Sequence, residues 1–244
     1  MKNRIINLNK IKSEIKALSA ELKTLPEGNL NKRGKFYYHT INRKNTGITK
    51  NKALIQLLCR KKYIIADTEK MRRNLSGSIV TFDDRLPKDL IQSFSKTYQD
   101  VPISYFYHPS MDAWLQEEVE PNPYPIKGGY RTAYNKILVQ SKSEQMIGSL
   151  LEKYGIPYRY NTKLTLGSKY KYPDFIIKNP FTGKEIIWEH FGALHESKYE
   201  GFMHEKITLY TQQGYIPNDT IIFTFEIDIS IENRLADIIE NIIL

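Results

Sequence analysis

Two β-type runs, residues 172–178 and 184–190, are joined only by Asn179-Pro180-Phe181-Thr182-Gly183. So short a link, rich in turn-favouring residues, leaves the runs one arrangement, an antiparallel hairpin. Paired positions in a hairpin sum to a constant. A turn centred between Phe181 and Thr182 therefore sets Asp174 about opposite Glu189. Opposed carboxylates repel, which disfavours the pairing unless a cation lies between them. Pro173, Phe175, Ile187, Trp188 and Phe191 give the pair a partly apolar setting. A hard divalent cation such as magnesium takes carboxylate oxygens of this kind. On spacing alone, two strand-end carboxylates in water are the competing description.

The segments around the hairpin predict an ordered series of elements. Residues 141–154 read as a helix stopped by Gly155 and Pro157. A strand follows over residues 158–166, then the hairpin, then a helix over residues 196–213 that ends at Gly214. Residues 220–226 form a very apolar strand, with Ile221, Ile222, Phe223 and Phe225, which predicts a central position. A last helix from near Ser230 is expected to bury Leu235, Ile238, Ile239 and Ile242. The order is helix, three strands, helix, strand, helix, an α/β chain of the mixed-sheet, α+β kind.

Two further residues join the carboxylates. Ser141-Lys142-Ser143-Glu144 has the form of a capping box, with Glu144 bonding back to the Ser141 amide. Glu144 also shares a helix face with Ile147 and Leu151, where a carboxylate needs a partner. Lys206 lies on a stripe with Tyr199, Met203 and Tyr210. Such a lysine either snorkels to solvent or directs its ammonium at the carboxylate pair.

Ser143-Glu144, then Tyr172-Pro173-Asp174-Phe175, then Trp188-Glu189-His190-Phe191-Gly192, in this order of elements, resemble the PD-(D/E)XK nuclease superfamily. The resemblance covers about residues 139–226, a little over a third of the chain. It implies a restriction-endonuclease-like αβββαβ core and a metal-dependent nuclease, expected to be an endonuclease acting on DNA. It also implies Mg2+ or Mn2+ as cofactor, held by Asp174, Glu189 and the main-chain carbonyl of His190, with Glu144 supporting the site. One position departs from the pattern. Where the family carries a lysine two residues after the second acid, this chain has Phe191. Some members supply that lysine from the following helix, and Lys206 fits such a migration. The imidazole of His190 ranks below it, because alternation turns it to the opposite face from Glu189.

The N-terminal third has a different pattern. Leu8, Ile11, Ile15, Leu18, Leu22 and Leu25 form a helical seam, and Leu54, Leu57, Ile64, Met71 and Leu75 form a second, interrupted by Lys61 and Thr68. Together they predict a helical hairpin arm. Between them Phe36-Tyr37-Tyr38-His39-Thr40-Ile41 predicts a strand of a basic β-hairpin, with Gly34 and Gly47 at turns. Lys32, Arg33, Lys35, Tyr37, Arg43 and Lys44 are the expected nucleic-acid contacts there. The net charge of +9 is consistent with a phosphate-bearing partner. It is equally that of a protein with lysine-rich faces. Pro87 is expected to open a helix reaching Tyr98, and a second helix is expected over residues 110–118. The Pro/Gly-rich residues 121–129 mark the boundary ahead of the last domain. The divisions are thus a helical arm over residues 1–80, a connecting region over 81–135 and a nuclease-like domain over 136–244.

The single cysteine, Cys59, excludes an internal disulfide and reads as a core filler. No apolar run reaches the length of a membrane span, and the Met-Lys-Asn-Arg start is unlike a signal peptide, so a cytoplasmic setting is expected. Three other readings stand beside the nuclease. A zinc hydrolase would use His190, His195 and His204 with Glu196 or Glu205, although their spacing matches no familiar zinc motif. A non-catalytic nucleic-acid-binding protein would account for Phe191. A coiled-coil interaction role would make the arm a homodimer interface, weak because each seam is only about three heptads long.

Overall fold

The computed structural model describes residues 8–76, 85–192 and 197–244. It divides into two compact units, Met1–His108 and Pro109–Leu244, so the connecting region splits between them. Both combine helices with small sheets, a mixed α+β architecture.

The first unit begins with helix α1, Leu8–Leu22. Strands β1 (Asn29–Arg33), β2 (Phe36–Ile41) and β3 (Lys44–Gly47) follow as an antiparallel sheet in sequence order. The expected single hairpin is thus a three-stranded meander. Gly34, at φ +58°, sits in the first turn as expected. Gly47 is not in a turn but pairs with Tyr38. Asn42 and Arg43, both at positive φ, make the second turn, because two central left-handed residues match the twist of the flanking strands. Leu30 on β1 is buried and its amide bonds the Tyr98 hydroxyl. The sheet is therefore packed on its own unit and is not a solvated tip.

Helix α2, Lys52–Ser76, starts where the Asn51 side chain accepts the Leu54 amide. Its buried face is Ile55, Leu58, Cys59, Tyr63 and Ile64, while Leu57 of the expected stripe is exposed. The two interruptions have structural partners. Lys61 Nζ bonds the Pro26 and Gly28 carbonyls at 2.9 and 3.1 Å, and Thr68 bonds the Ile64 carbonyl one turn back. Arg60 is buried and forms two 2.8 Å bonds to Glu21 of α1, plus one to the Phe106 carbonyl. A buried guanidinium needs such partners, and it ties the two helices together. Cys59 is fully buried, and burial pushes its thiol up to about 12. The helix expected from Pro87 to Tyr98 is two short ones, α3 (Pro87–Gln92) and α4 (Lys96–Gln99), followed by a 3-10 turn at Ile103–Phe106.

The second unit opens with α5, Ser110–Gln116, and a short ribbon of β4 (Tyr130–Arg131) and β5 (Leu138–Val139). Helix α6, Lys142–Tyr154, is capped at both ends. Ser141 Oγ accepts the Glu144 amide, and Gly155, at φ +68°, closes the C-terminus with its N–H on Glu152 and that of Ile156 on Leu151. A Cβ at Gly155 would meet no atom within 4 Å, so the cost of Gly155→Ala is conformational alone. It is expected to destabilise by about 1 kcal/mol, read as a lower urea midpoint.

Strand β6, Tyr158–Tyr160, is shorter than expected. The remainder of that run is β7 (Leu164–Leu166), which forms a separate hairpin with β8 (Lys169–Lys171). Asn161, at positive φ, lies where the run breaks. Strands β9 (Phe175–Lys178) and β10 (Glu185–Phe191) form the predicted hairpin. Helix α7, Ser197–Gln212, leads to β11 (Ile221–Phe225), which lies parallel to β10. The sheet order is β11-β10-β9-β6.

Strand β11 is thus at an edge of the sheet, not its centre. Its apolar character comes from cover on both faces. Ile222 joins Ile147, Leu151, Phe175, Ile177, Ile186 and Trp188 in one core. Phe223, on the other face, packs near Tyr210 of α7. An unexpected short helix, α8 (Glu226–Ser230), precedes the expected final helix, which is α9 (Arg234–Ile238) running into a π turn, Ile239–Ile243. Among the described residues no helix is long and apolar enough to cross a membrane.

Candidate active site

The β9–β10 register pairs Trp188 with Phe175, so the next positions outward are Glu189 and Asp174. Alternation sets their side chains on the face opposite Trp188, which lies in the α6 core. That is the face α7 covers. Lys206 Nζ lies 2.6 Å from Glu189 Oε2, and the Tyr210 hydroxyl donates to Glu189 Oε1 at 2.6 Å. Glu189 is 0 % exposed, and both its oxygens are held by donors, as a buried carboxylate requires. Asp174 Oδ2 accepts the His190 amide at 2.7 Å.

This setting strains the charge on Asp174. Burial raises its carboxyl well above the usual carboxylate range, and the neighbouring Glu189 raises it further. Lys206 and the His190 N–H pull the other way, while Glu144 adds to the rise. Burial, together with Glu189, likewise pushes the Tyr210 phenol up, which keeps it a donor.

Glu144 stands at the start of α6 and is fully engaged. Its Oε2 accepts the Tyr160 hydroxyl at 2.6 Å and the Gln140 amide at 3.0 Å, and its Oε1 accepts the Ser141 hydroxyl at 2.9 Å. The backbone partner is thus the Gln140 amide, where the capping-box expectation named Ser141. The His190 imidazole lies on the opposite face from Glu189, between Thr224 Oγ1 and Glu226 Oε1, each at 3.1 Å. Ser143 also donates to Glu226 Oε1, at 2.9 Å. This brace joins the end of β10 to the first turn of α6.

Phe191, at the position where the resemblance expects lysine, is 3 % exposed. It is stacked between Phe223 and Phe225, with both centroid distances 5.8 Å. An aromatic layer there leaves no room for an ammonium, and the cation at Glu189 comes from α7.

Two partners of this site were not singled out from the sequence, Tyr160 and the hydroxyl role of Tyr210. The signal for Tyr210 was present, since it follows Lys206 by four residues and so shares its face. Tyr160 had none, because its reach to Glu144 depends on how α6 packs on the sheet.

His204 and Glu205 are exposed on α7, while His195 and Glu196 lie outside the described residues. Among the described residues no group of three or more His, Cys, Asp or Glu side chains could hold a metal ion.

In the basic sheet the six expected contacts separate. Lys32 pairs with Asp100 at 2.5 Å, and the Tyr37 hydroxyl reaches the Asp100 carbonyl at 3.4 Å. Arg33, Lys35, Arg43 and Lys44 are exposed.

No family model, curated protein or solved structure matches this chain.

Proposed function

We propose that this protein is a metal-dependent nuclease of the restriction-endonuclease-like kind, hydrolysing phosphodiester bonds of nucleic acid, with DNA the expected substrate. The observation that carries the reading is the 2.6 Å contact of Lys206 with Glu189, one strand across from Asp174. Two carboxylates and an ammonium thereby share one face of a β-hairpin. The order α6, the antiparallel sheet strands β6, β9 and β10 with the β7–β8 hairpin inserted after β6, then α7 and a parallel β11, supports the same reading.

The donor set fits magnesium or manganese. Magnesium is commonly held by one or two carboxylates, with water and phosphate oxygens completing the shell. Asp174 and Glu189 would hold the ion, with the His190 carbonyl as the third oxygen that the resemblance assigns. The charge strain on Asp174 is what a cation would relieve. When bound, the ion supplies Lewis acidity at the phosphate and acidifies a water.

The chain's own residues do the rest. Lys206 orients the attacking water and stabilises charge on the phosphate. Tyr210 fixes the other Glu189 oxygen, and the His190 amide fixes Asp174. The water oxygen bonds to phosphorus as the ester P–O bond breaks, and the proton the water gives up balances the one the leaving oxygen takes up. One fragment ends in phosphate and the other in hydroxyl.

The direct test incubates purified chain with supercoiled plasmid, single-stranded DNA and RNA, in magnesium, manganese or chelator. Cutting that needs the metal is expected. Binding without cutting on every substrate would sink the nuclease and leave a binding protein with a degenerate site. For the basic sheet, Arg43→Ala and Lys44→Ala are each expected to lessen the slope of log affinity against log salt by about 0.9. An unchanged slope would remove these residues from the interface.

A further inference from the structure

Residues 28–52 contain seven Lys or Arg and no Asp or Glu. Among the described residues, Lys32 spends its charge on Asp100. Alternation sorts the sheet into two faces. Leu30, Lys32, Tyr37 and His39 share the inward one, where Leu30 is buried, Lys32 meets Asp100 and the His39 ring bonds the Glu27 carbonyl. Asn31, Arg33, Phe36, Tyr38, Thr40 and Asn45 share the outward one. Asn31, Arg33, Phe36 and Asn45 are exposed.

The outward face is ordered. Asn31 Nδ2 donates to Thr40 Oγ1 at 2.6 Å, and Thr40 Oγ1 donates to Asn45 Oδ1 at 2.5 Å. This chain of bonds crosses all three strands and sets both amides at fixed positions. Arg33 lies over the Tyr38 ring at 5.7 Å, and Lys35 Nζ over Phe36 at 5.6 Å. Binding of unpaired bases relies on bare aromatic faces for stacking. Here cations already lie over both rings, so the surface offers donors and positive charge instead.

Its dimensions and chemistry suit a double helix. Three strands about 4.8 Å apart set the outer strand axes about 10 Å apart, against a major groove of B-DNA about 12 Å wide. Arginine reads guanine and asparagine reads adenine by paired hydrogen bonds at the base edges. Lysines and arginines at the ribbon ends meet phosphates.

We infer that the outward face of the β1–β2–β3 sheet is a duplex-DNA reading surface that enters the major groove. Arg33, Asn31 and Asn45 meet base edges, and Lys35, Arg43 and Lys44 meet the backbone. The inference rests on the nucleic-acid half of the proposed function and not on the carboxylate chemistry.

The test uses the full chain in chelator, where cleavage cannot intervene. A randomised duplex pool is selected for binding, and affinities for the enriched and a scrambled duplex are measured by fluorescence anisotropy. A short enriched motif is expected. Asn31→Ala and Arg33→Lys are expected to cut the discrimination between the two duplexes by about 5- to 150-fold. Lys35→Ala is expected to weaken both duplexes alike. Arg33→Lys keeps the charge at an exposed position, so it carries the test even where Asn31→Ala fails to fold. The inference is overturned by a pool that enriches no motif, by tighter binding of single strands than of duplex, or by variants that leave the discrimination unchanged. A chain that selects a duplex but never cuts leaves this surface standing and removes the nuclease. A chain that cuts without preference does the reverse.

Discussion

Asp174→Asn is expected to abolish metal-dependent cleavage, by about 10³-fold or more, and at the same time to raise the melting temperature in chelator. The first effect follows from losing one of the two proposed anionic ligands, since metal assistance is worth several kcal/mol and each 1.36 kcal/mol is about tenfold in rate. The second follows from the charge strain at the hairpin end. The Asp174 carboxyl is held well above its ordinary range, first by burial and then by Glu189, so its ionised form destabilises the fold. An asparagine oxygen can still accept the His190 amide.

The sign can be worked through in pH. A carboxyl with a raised folded-state value lowers stability as pH climbs from its unfolded value, about 3.9, through the folded one. The variant's advantage is therefore absent below about pH 4 and complete at pH values above the folded one. An advantage of about 1 kcal/mol would appear as roughly 2–4 °C. Magnesium or manganese should stabilise the wild type and not the variant. Scanning calorimetry with and without metal, beside the cleavage assay, checks all of this. A variant that melts lower in chelator and still cuts would overturn both the strain and the ligand role.

Lys206→Met is expected to lower the cleavage rate by about 10²- to 10³-fold, the loss typical of one transition-state donor. DNA affinity in chelator should be nearly unchanged. It also leaves the Glu189 carboxylate, 0 % exposed, with Tyr210, at 2.6 Å, as its remaining side-chain donor among the described residues. Breaking a buried pair this way is expected to cost about 3 kcal/mol, the lesser side of the usual range because the Lys206 side chain is 27 % exposed.

Moving the lysine to its place in the family pattern should not restore activity. Phe191→Lys inserts an ammonium between Phe223 and Phe225, and the double variant with Lys206→Met is expected to unfold more readily and stay inactive. Turnover and urea unfolding on the three variants decide the matter. Wild-type turnover from Lys206→Met would remove the lysine from the chemistry.

Local patterns explain how much could be read in advance. A five-residue turn sets a register, and the observed pairing of Trp188 with Phe175 leaves Asp174 beside Glu189, as counting from the turn predicts. Ser141 and Gly155 bound α6 because caps act within a few residues of the helix end. Strand alternation likewise turned the His190 imidazole away from Glu189. The misreadings arose where distant partners decide the outcome. Leu57 looked like a seam residue, yet α2 buries the stripe through Ile55 and Leu58 and uses Arg60 to hold Glu21. Phe223 and Phe225 suggested a central strand, but an edge strand covered on both faces needs the same residues.

Residue order alone settles the hairpin, the limits of α6 and the concentration of positive charge between residues 28 and 52, because register, capping and charge act over short stretches of chain. Packing alone settles which donors reach Glu189, that Phe191 lies in an aromatic layer, and which side of the basic sheet faces outward. Those depend on contacts between residues 17 to 68 positions apart, such as Glu189 with Lys206 and Lys32 with Asp100. The relative placement of such residues is fixed by the burial of apolar side chains between helices and sheet, which no short stretch of sequence encodes.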